Sequence, residues 1–310
     1  MTRKAFTEDF SNVLSRLNSK TFQSCFIKWV TSIAEKTEGE IISIDGKTSR
    51  GSKDAKNERS PLHLVSAWAN SNRLILGQEA TAEKSNEITA IPKLLSLLDI
   101  HGCIITIDAM GCQTAIAEQV INQGGDYCLA VKDNQESLSE AIEDFFDTAI
   151  LTDFKGVKYD YTEEIDKEHG RLESRQYWIC DYLETLPNPK RWKGLRSIGL
   201  VKRETIKNNV TTVEKRYFIN SFPANAKTFA RAVRSHWGIE NSLHWRLDVV
   251  MREDDCRIRI GNAPTIFSTL RHICLNLFQI EPSKLSLKRK RMKSALNDDY
   301  RANVVFGLQF

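Results

Sequence analysis

Glu40-Ile41-Ile42-Ser43-Ile44-Asp45-Gly46-Lys47-Thr48 joins a β-branched run to a carboxylate and then to a glycine, the pattern of a buried strand that delivers an aspartate at its C-terminal end. Cys103-Ile104-Ile105-Thr106-Ile107-Asp108 repeats it. Between the two, apolar runs at 62–69 and 73–80 flank Asn70-Ser71-Asn72, a loop short enough for an antiparallel hairpin. Ile88, Ile91, Leu94, Leu95, Leu97 and Leu98 then recur at helical spacing over 86–98, with Pro92 near the start, so a helix crosses over and the strand ending in Asp108 follows it in parallel. A helix over 114–123, a strand over 126–131 and an amphipathic helix over 135–150 complete the block. Strand, hairpin, helix, strand, helix, strand is the order of an α/β, ribonuclease H-like mixed sheet with flanking helices.

Outward from this core the period changes. From Lys155 to Ile219 apolar residues alternate, as in Tyr177-Trp178-Ile179-Cys180, and the block reads as a β-rich insertion. Helical spacing returns at Ala226 and runs through Trp245. Phe6 to Glu35 reads as two short helices. The predicted organisation is a helical segment over 1–38, the first part of the core over 39–154, the insertion over 155–222, the last part of the core with an acidic helix over 223–280, and a basic tail over 281–310.

With 310 residues, 41% of them apolar, a sizeable core is available. Lys20 and Lys28 interrupt the most apolar N-terminal stretch and no run approaches the roughly 18 residues of a membrane span, so a cytoplasmic protein without membrane contact is expected. Seven cysteines without a Cys-x-x-Cys pair fit neither a disulfide framework nor structural zinc. The net charge of +4 is unremarkable, but Lys284, Lys288, Arg289, Lys290, Arg291 and Lys293 crowd together with no acid among them. That run fits phosphate contact or a solvated basic helix.

Two aspartates ending neighbouring parallel strands would stand about one strand spacing apart, roughly 4.7 to 4.9 Å, and repel unless a divalent cation lies between them. Such hard oxygen donors suit Mg²⁺ or Mn²⁺. Singly, each aspartate also fits an ordinary loop starter. Glu240 is the candidate third acid: it lies among Trp237, Ile239, Leu243 and Trp245, too apolar a setting for a casual surface charge, with His236 and His244 four residues to either side. Lys47 and Arg50, just past Asp45, are candidates for phosphate oxygens or plain solvation. Asp248 is a candidate to replace or assist Glu240, and Trp237 and Trp245 fit core packing better than stacking on an unpaired base.

Over nearly its whole length the chain resembles bacterial insertion-sequence transposases, most closely the H-repeat-associated group. The resemblance rests on Ile44-Asp-Gly-Lys-Thr48, Glu83-Lys-Ser-Asn-Glu-Ile-Thr-Ala-Ile-Pro92, Thr106-Ile-Asp-Ala-Met-Gly-Cys-Gln113, Gln123-Gly-Gly-Asp-Tyr127 and His236-Trp-Gly-Ile-Glu-Asn-Ser-Leu-His-Trp-Arg-Leu-Asp-Val-Val250. It implies a ribonuclease H-like core with the insertion before the last acidic helix, and a DDE triad on Asp45, Asp108 and Glu240. It also implies two Mg²⁺ ions, replaceable by Mn²⁺, with Asp45 bridging them and Asp108 and Glu240 each holding one. The implied activity is metal-dependent cleavage and strand transfer of double-stranded DNA, at element ends and target, with a homodimer in the synaptic complex. Candidate DNA contacts are Lys47, Arg50, His236, His244, Lys288, Arg289, Lys290 and Arg291.

The chain departs from related cut-and-paste enzymes where they carry a Tyr, Arg, Glu, Lys signature: Val233, His236, Glu240 and Leu247 stand there, which leaves the arginine's phosphate contact to His236. Family members extend further at the N-terminus, so a truncated copy is expected. Two alternatives stay open: a hydrolysis-only ribonuclease H-like nuclease, and a catalytically silent DNA-binding remnant.

Overall fold

The computed structural model describes residues 11–35, 37–54, 60–81, 87–168, 171–208 and 210–307. Phe6 to Phe10 of the expected first helix and Glu83 to Asn86 of the quoted motif lie outside them. The chain folds as two compact units. One takes the chain up to Thr37, Ile44–Leu98 and the chain from Gly238 on; the other takes Glu38–Ser43 and Asp99–Trp237.

In the first unit, the hairpin of β2 (Leu62–Ala69) and β3 (Leu74–Ala80) lies beside the later residues of β1 (Ile41–Ser49). It is packed by α1 (Ser19–Ile33), α2 (Glu87–Leu95) and α7 (Ala263–Ile280). Helix α1 starts where Asn18 accepts from the Thr21 N–H, the side-chain capping that satisfies an orphan donor. Phe26, Val30, Trp68, Ile75, Ile239, Leu243, Leu247 and Leu275 form its apolar centre. Polar groups enter this core only when partnered: Gln78 reaches Thr269 at 2.7 Å, and Asn276 both donates to Ile75 O and accepts from Ile75 N at 2.9 Å, meeting both backbone groups of one residue.

His272 is the exception, fully buried with neither ring nitrogen hydrogen-bonded among the described residues. Burial, helped by the positive fields of Arg271 and Lys47, pulls its pKa down from 6.5 to about 3. Because the folded value is depressed, the neutral ring supports the fold above the unfolded pKa, and that support is lost as pH falls toward the folded one. Between about pH 7.5 and about pH 5 the protein is expected to lose about 2 kcal/mol through this residue. Urea melts at the two pH values check this; an equally steep loss in His272→Leu would assign the effect elsewhere.

In the second unit the strand order, from the first residues of β1, is β4 (Ile104–Ile107), β5 (Asp126–Val131), β9 (Val210–Asn220), β8 (Ser197–Lys207), β7 (Arg171–Cys180) and β6 (Tyr159–Glu168). The β4–β5 pair is parallel and the pairs from β5 through β6 are antiparallel. The expected β-rich block is therefore four strands that extend the sheet through β9. Helices α3 (Thr114–Asn122) and α4 (Glu136–Leu151) follow β4 and β5, as their apolar spacing requires. Helix α5 (Ala226–Ile239) begins where Asn225 accepts from the Thr228 N–H and Asp160 from the Ala226 N–H. Phe229 of α5 meets Phe218 edge-on at 5.3 Å. A Cβ at Gly199 of β8 would lie 2.5 Å from that ring, so only glycine admits the helix this close.

The expected elements are present with small shifts at their ends, as a mixed α/β fold whose large sheet is mostly antiparallel. One expectation changes: Asp45 does not end its strand, since β1 continues to Ser49. Gly46 is not a terminator. A Cβ there would lie 1.9 Å from Glu87 Oε1 and 2.6 Å from His63 Nε2, so the glycine exists for close approach. No helix among the described residues is long and apolar enough to cross a membrane.

Candidate metal centre and nucleic-acid surface

Asp45 faces a built environment within the first unit. Carboxylate oxygens of Asp45 and Glu87 lie within 4.8 Å of one another, and His244 Nδ1 stands 3.6 Å from Asp45 Oδ2. Glu87 is held in turn by His63, whose Nε2 is 2.8 Å from Glu87 Oε1 and whose Nδ1 is 2.7 Å from the Thr48 hydroxyl. Residues from β1, β2 and α2 thus converge on one point. Two carboxylates this close repel unless a cation lies between them, and an all-oxygen donor set fits Mg²⁺ or Mn²⁺.

Asp108, in the second unit, follows the last residue of β4 and accepts from the Met110 and Gly111 N–H groups at 3.1 and 3.3 Å. The strand end that the sequence predicted is real here, and the short turn fixes the carboxylate.

Glu240 opens a π-helical turn, Glu240–His244, marked by the Trp245 N–H donating to Glu240 O. Turns of this kind break an α-helix at functional sites more often than elsewhere. Glu240 is exposed, contrary to its apolar neighbours in sequence, because the buried side is taken by Ile239 and Leu243. It does not join Asp45 and Glu87 in their close arrangement.

The expected DNA contacts divide. Lys47 Nζ is engaged by Asp248 at 2.7 Å, Glu253 at 3.3 Å and Asp254 at 3.6 Å, and only 10% of its side chain is exposed. Burial pulls its pKa down, but the carboxylates outweigh that and hold it above the ordinary value. Asp248 is also raised, by burial first, then by Asp254 and Glu253 against the pull of Lys47. A simple pair would hold the acid low. Three acids sharing one ammonium do not, and the 2.7 Å geometry is what defines the pair. Asp248 is thereby occupied as a partner of Lys47. Arg50 remains 85% exposed.

His236, half-buried, exchanges a hydrogen bond with the Thr106 hydroxyl at 3.1 Å. Withdrawal from water, with the field of Arg216 added and a hydrogen bond to Thr106 opposing, pulls its pKa down to about 4. In α8 (Leu287–Leu296) Lys290 is buried, and its ammonium reaches Phe278 O at 2.8 Å, Glu281 O at 2.6 Å and the Glu281 carboxylate at 2.8 Å. It ties off the C-terminus of α7, where cations are favoured. Arg291 donates to Val250 O. Lys288, Arg289 and Lys293 are exposed.

One basic surface escaped the sequence. In the second unit Arg175, Arg203, Arg216 and Arg234 line a groove with Glu214 and Trp237. Arg203 and Arg216 lie 5.2 and 4.6 Å from the Trp237 ring centroid, and Glu214 bridges the same two guanidiniums at 2.5 and 2.6 Å. Burial acts to raise the Glu214 pKa, but Arg216 and Arg203 hold it below its usual value. Arg175 faces Arg203 across β7 and β8, a like-charge pairing offset by Glu173 beside Arg175 and Glu214 beside Arg203. The arginines come singly from several elements, so no charge run announces them.

Comparison with known proteins decides what these features belong to. Residues 36–277 match the family described as the transposase DDE domain. The chain belongs to the DDE transposase family. Among similar proteins of this family is the H repeat-associated putative transposase YhhI of Escherichia coli K12, 42% identical over 97% of this chain and 80% of its own length. The putative transposase YncI of Escherichia coli O157:H7 is 43% identical over 96% of this chain and 77% of its own. A third relative, the putative protein YbfL of Escherichia coli K12, is 42% identical over 97% and 80%. The DDE domain generally uses a divalent metal, and in this chain the carboxylates of Asp45 and Glu87 stand close together.

Proposed function

We propose that this chain is a metal-dependent transposase with a ribonuclease H-like catalytic core, which cleaves insertion-sequence ends and transfers the strand to target DNA. The observation that carries the reading is the carboxylate arrangement at Asp45 in a chain of the DDE family. Asp45, Asp108 and Glu240 are its proposed metal-holding acids. Bound divalent cations supply Lewis acidity for in-line attack on a phosphodiester. His244 steadies Asp45, the turn after β4 steadies Asp108, and Glu240 reaches the centre by movement of its π turn. Arg50 offers an exposed guanidinium beside the site. Two Mg²⁺ ions, exchangeable for Mn²⁺, a dimer holding paired ends and action on DNA in the cytoplasm complete the proposal.

DNA contacts are proposed at Arg50, Lys288, Arg289 and Arg291 in the first unit and, separately, at the arginine groove of the second. Each phosphate contact removed lowers the slope of log affinity against log salt by about 0.9. Arg203→Gln with Arg289→Gln is expected to flatten the slope by about two such steps, read by fluorescence anisotropy on duplex DNA. An unchanged slope would remove both residues from the interface.

The test of the reaction is incubation of the protein with element-end DNA, target plasmid and MnCl₂. Joined products are expected. Nicked ends without joining would favour a nuclease that only hydrolyses, and binding without cleavage would favour a silent remnant.

A further inference from the structure

We propose that Glu87 is a fourth acidic residue of the catalytic centre, ligating the cation at Asp45 directly or through one water, and that His63 is its positioning residue. The inference rests on the metal-dependent reading above and extends it to residues outside the triad. Its basis is local to the first unit. Glu87 opens α2 and stands with its carboxylate within 4.8 Å of that of Asp45. It is 14% exposed in its side chain, so the charge is largely withdrawn from water.

Three features hold it there. His63 takes the Glu87 oxygen on one ring nitrogen and the Thr48 hydroxyl on the other, which fixes both the ring and the carboxylate. Residue 46 is a glycine, and the space a Cβ would fill is occupied by Glu87 Oε1 and Cδ, at 1.9 and 2.4 Å. The backbone beside Asp45 is therefore open to this one side chain. A like charge brought this near to Asp45 costs free energy in the metal-free chain, and a shared cation offsets that cost. A histidine that orients a ligating carboxylate acts as an outer partner of a metal site, and loss of such a partner weakens metal affinity about ten- to hundred-fold.

The experiment is direct titration of the full-length chain with MnCl₂ in the absence of DNA, following free Mn²⁺ by electron paramagnetic resonance. Glu87→Gln preserves shape and removes the charge; it is expected to weaken Mn²⁺ binding at least about tenfold, with an unchanged circular dichroism spectrum. His63→Gln is expected to weaken it less, and Gly46→Ala to weaken it as Glu87→Gln does, with no further loss when the two are combined. Wild-type affinity in Glu87→Gln, beside weakened binding in Asp45→Asn, would overturn the role of Glu87 while leaving the metal at Asp45. Wild-type affinity in Asp45→Asn would overturn the metal reading itself, and this proposal with it. Should Gly46→Ala fail to fold, Glu87→Gln alone decides.

Discussion

Asp45→Asn is expected to abolish strand cleavage, with a fall in rate on the order of 10³-fold or more, while the protein melts at or above the wild-type temperature. The substitution is isosteric and keeps an oxygen facing His244. It removes the negative charge that a divalent cation requires and, at the same time, relieves the repulsion between Asp45 and Glu87, whose carboxylate oxygens lie within 4.8 Å. Stability and activity should therefore move in opposite directions, which separates a site residue from a structural one. In the wild type Mn²⁺ should raise the melting temperature by binding the folded chain selectively, and in Asp45→Asn that rise should shrink or vanish. Asp108→Asn and Glu240→Gln are expected to give comparable losses of cleavage. Activity within tenfold of wild type in Asp45→Asn, at saturating Mn²⁺, would sink the assignment. The Glu240 variant tests something further, since this acid is exposed on its π turn. A loss there, with an unchanged circular dichroism spectrum, would bring this exposed acid into the reaction.

The proposed site residues can be picked out of the sequence to differing degrees, for reasons that differ by residue. Asp108 was legible because a β-branched run, an aspartate and Ala-Met-Gly specify a strand end and a tight turn through local preferences alone. Asp45 was legible as a candidate for the same reason, though its place within β1 was not. Gly46 looks like a strand breaker until Glu87 and His63 are seen in the space it leaves. Their arrival depends on how the hairpin and α2 pack, a tertiary fact with no local signature. Glu87 accordingly passed as one letter of a family motif. His236 and His244 stand four residues to either side of Glu240, yet the sequence does not show their partners, Thr106 for His236 and Asp45 for His244.

The basic residues show the same division. Lys290 sits in the most conspicuous charge run of the sequence and is buried, because the free carbonyls at the end of α7 need donors and its long stem reaches them. Arg175, Arg203 and Arg216 gather on one face because neighbouring strands bring them into register. Strand pairing over a β-hairpin is not written in any window short enough to scan.

Lys47→Met is the substitution with the largest expected cost to the fold, about 3 to 5 kcal/mol, the range for stripping a partner from a buried charge. Sequence placed this lysine beside Asp45 and so near phosphate, yet its ammonium ends among Asp248, Glu253 and Asp254. Glu253 governs the cost. Its side chain is 2% exposed, and besides Lys47 it has Arg271 at 3.8 Å and the Ser268 hydroxyl at 3.0 Å. Asp248 and Asp254 are about a third exposed, so water screens them and their share is small. Without the ammonium, the three acids are left with two distant guanidiniums, Arg271 at 3.8 Å from Glu253 and the exposed Arg50 at 3.8 Å from Asp254, and the loop from Val250 to Cys256 loses its ammonium anchor to β1. Urea melts of Lys47→Met, Glu253→Gln and the double variant measure the coupling, which is expected to recover about 1 to 3 kcal/mol in the double. A loss below about 1 kcal/mol in Lys47→Met would show that the network is solvated and its charges cheap. Because the cation is spent inside the chain, Lys47→Met should leave the salt slope of DNA binding unchanged at temperatures where the variant is folded, whereas Arg203→Gln and Arg289→Gln should not.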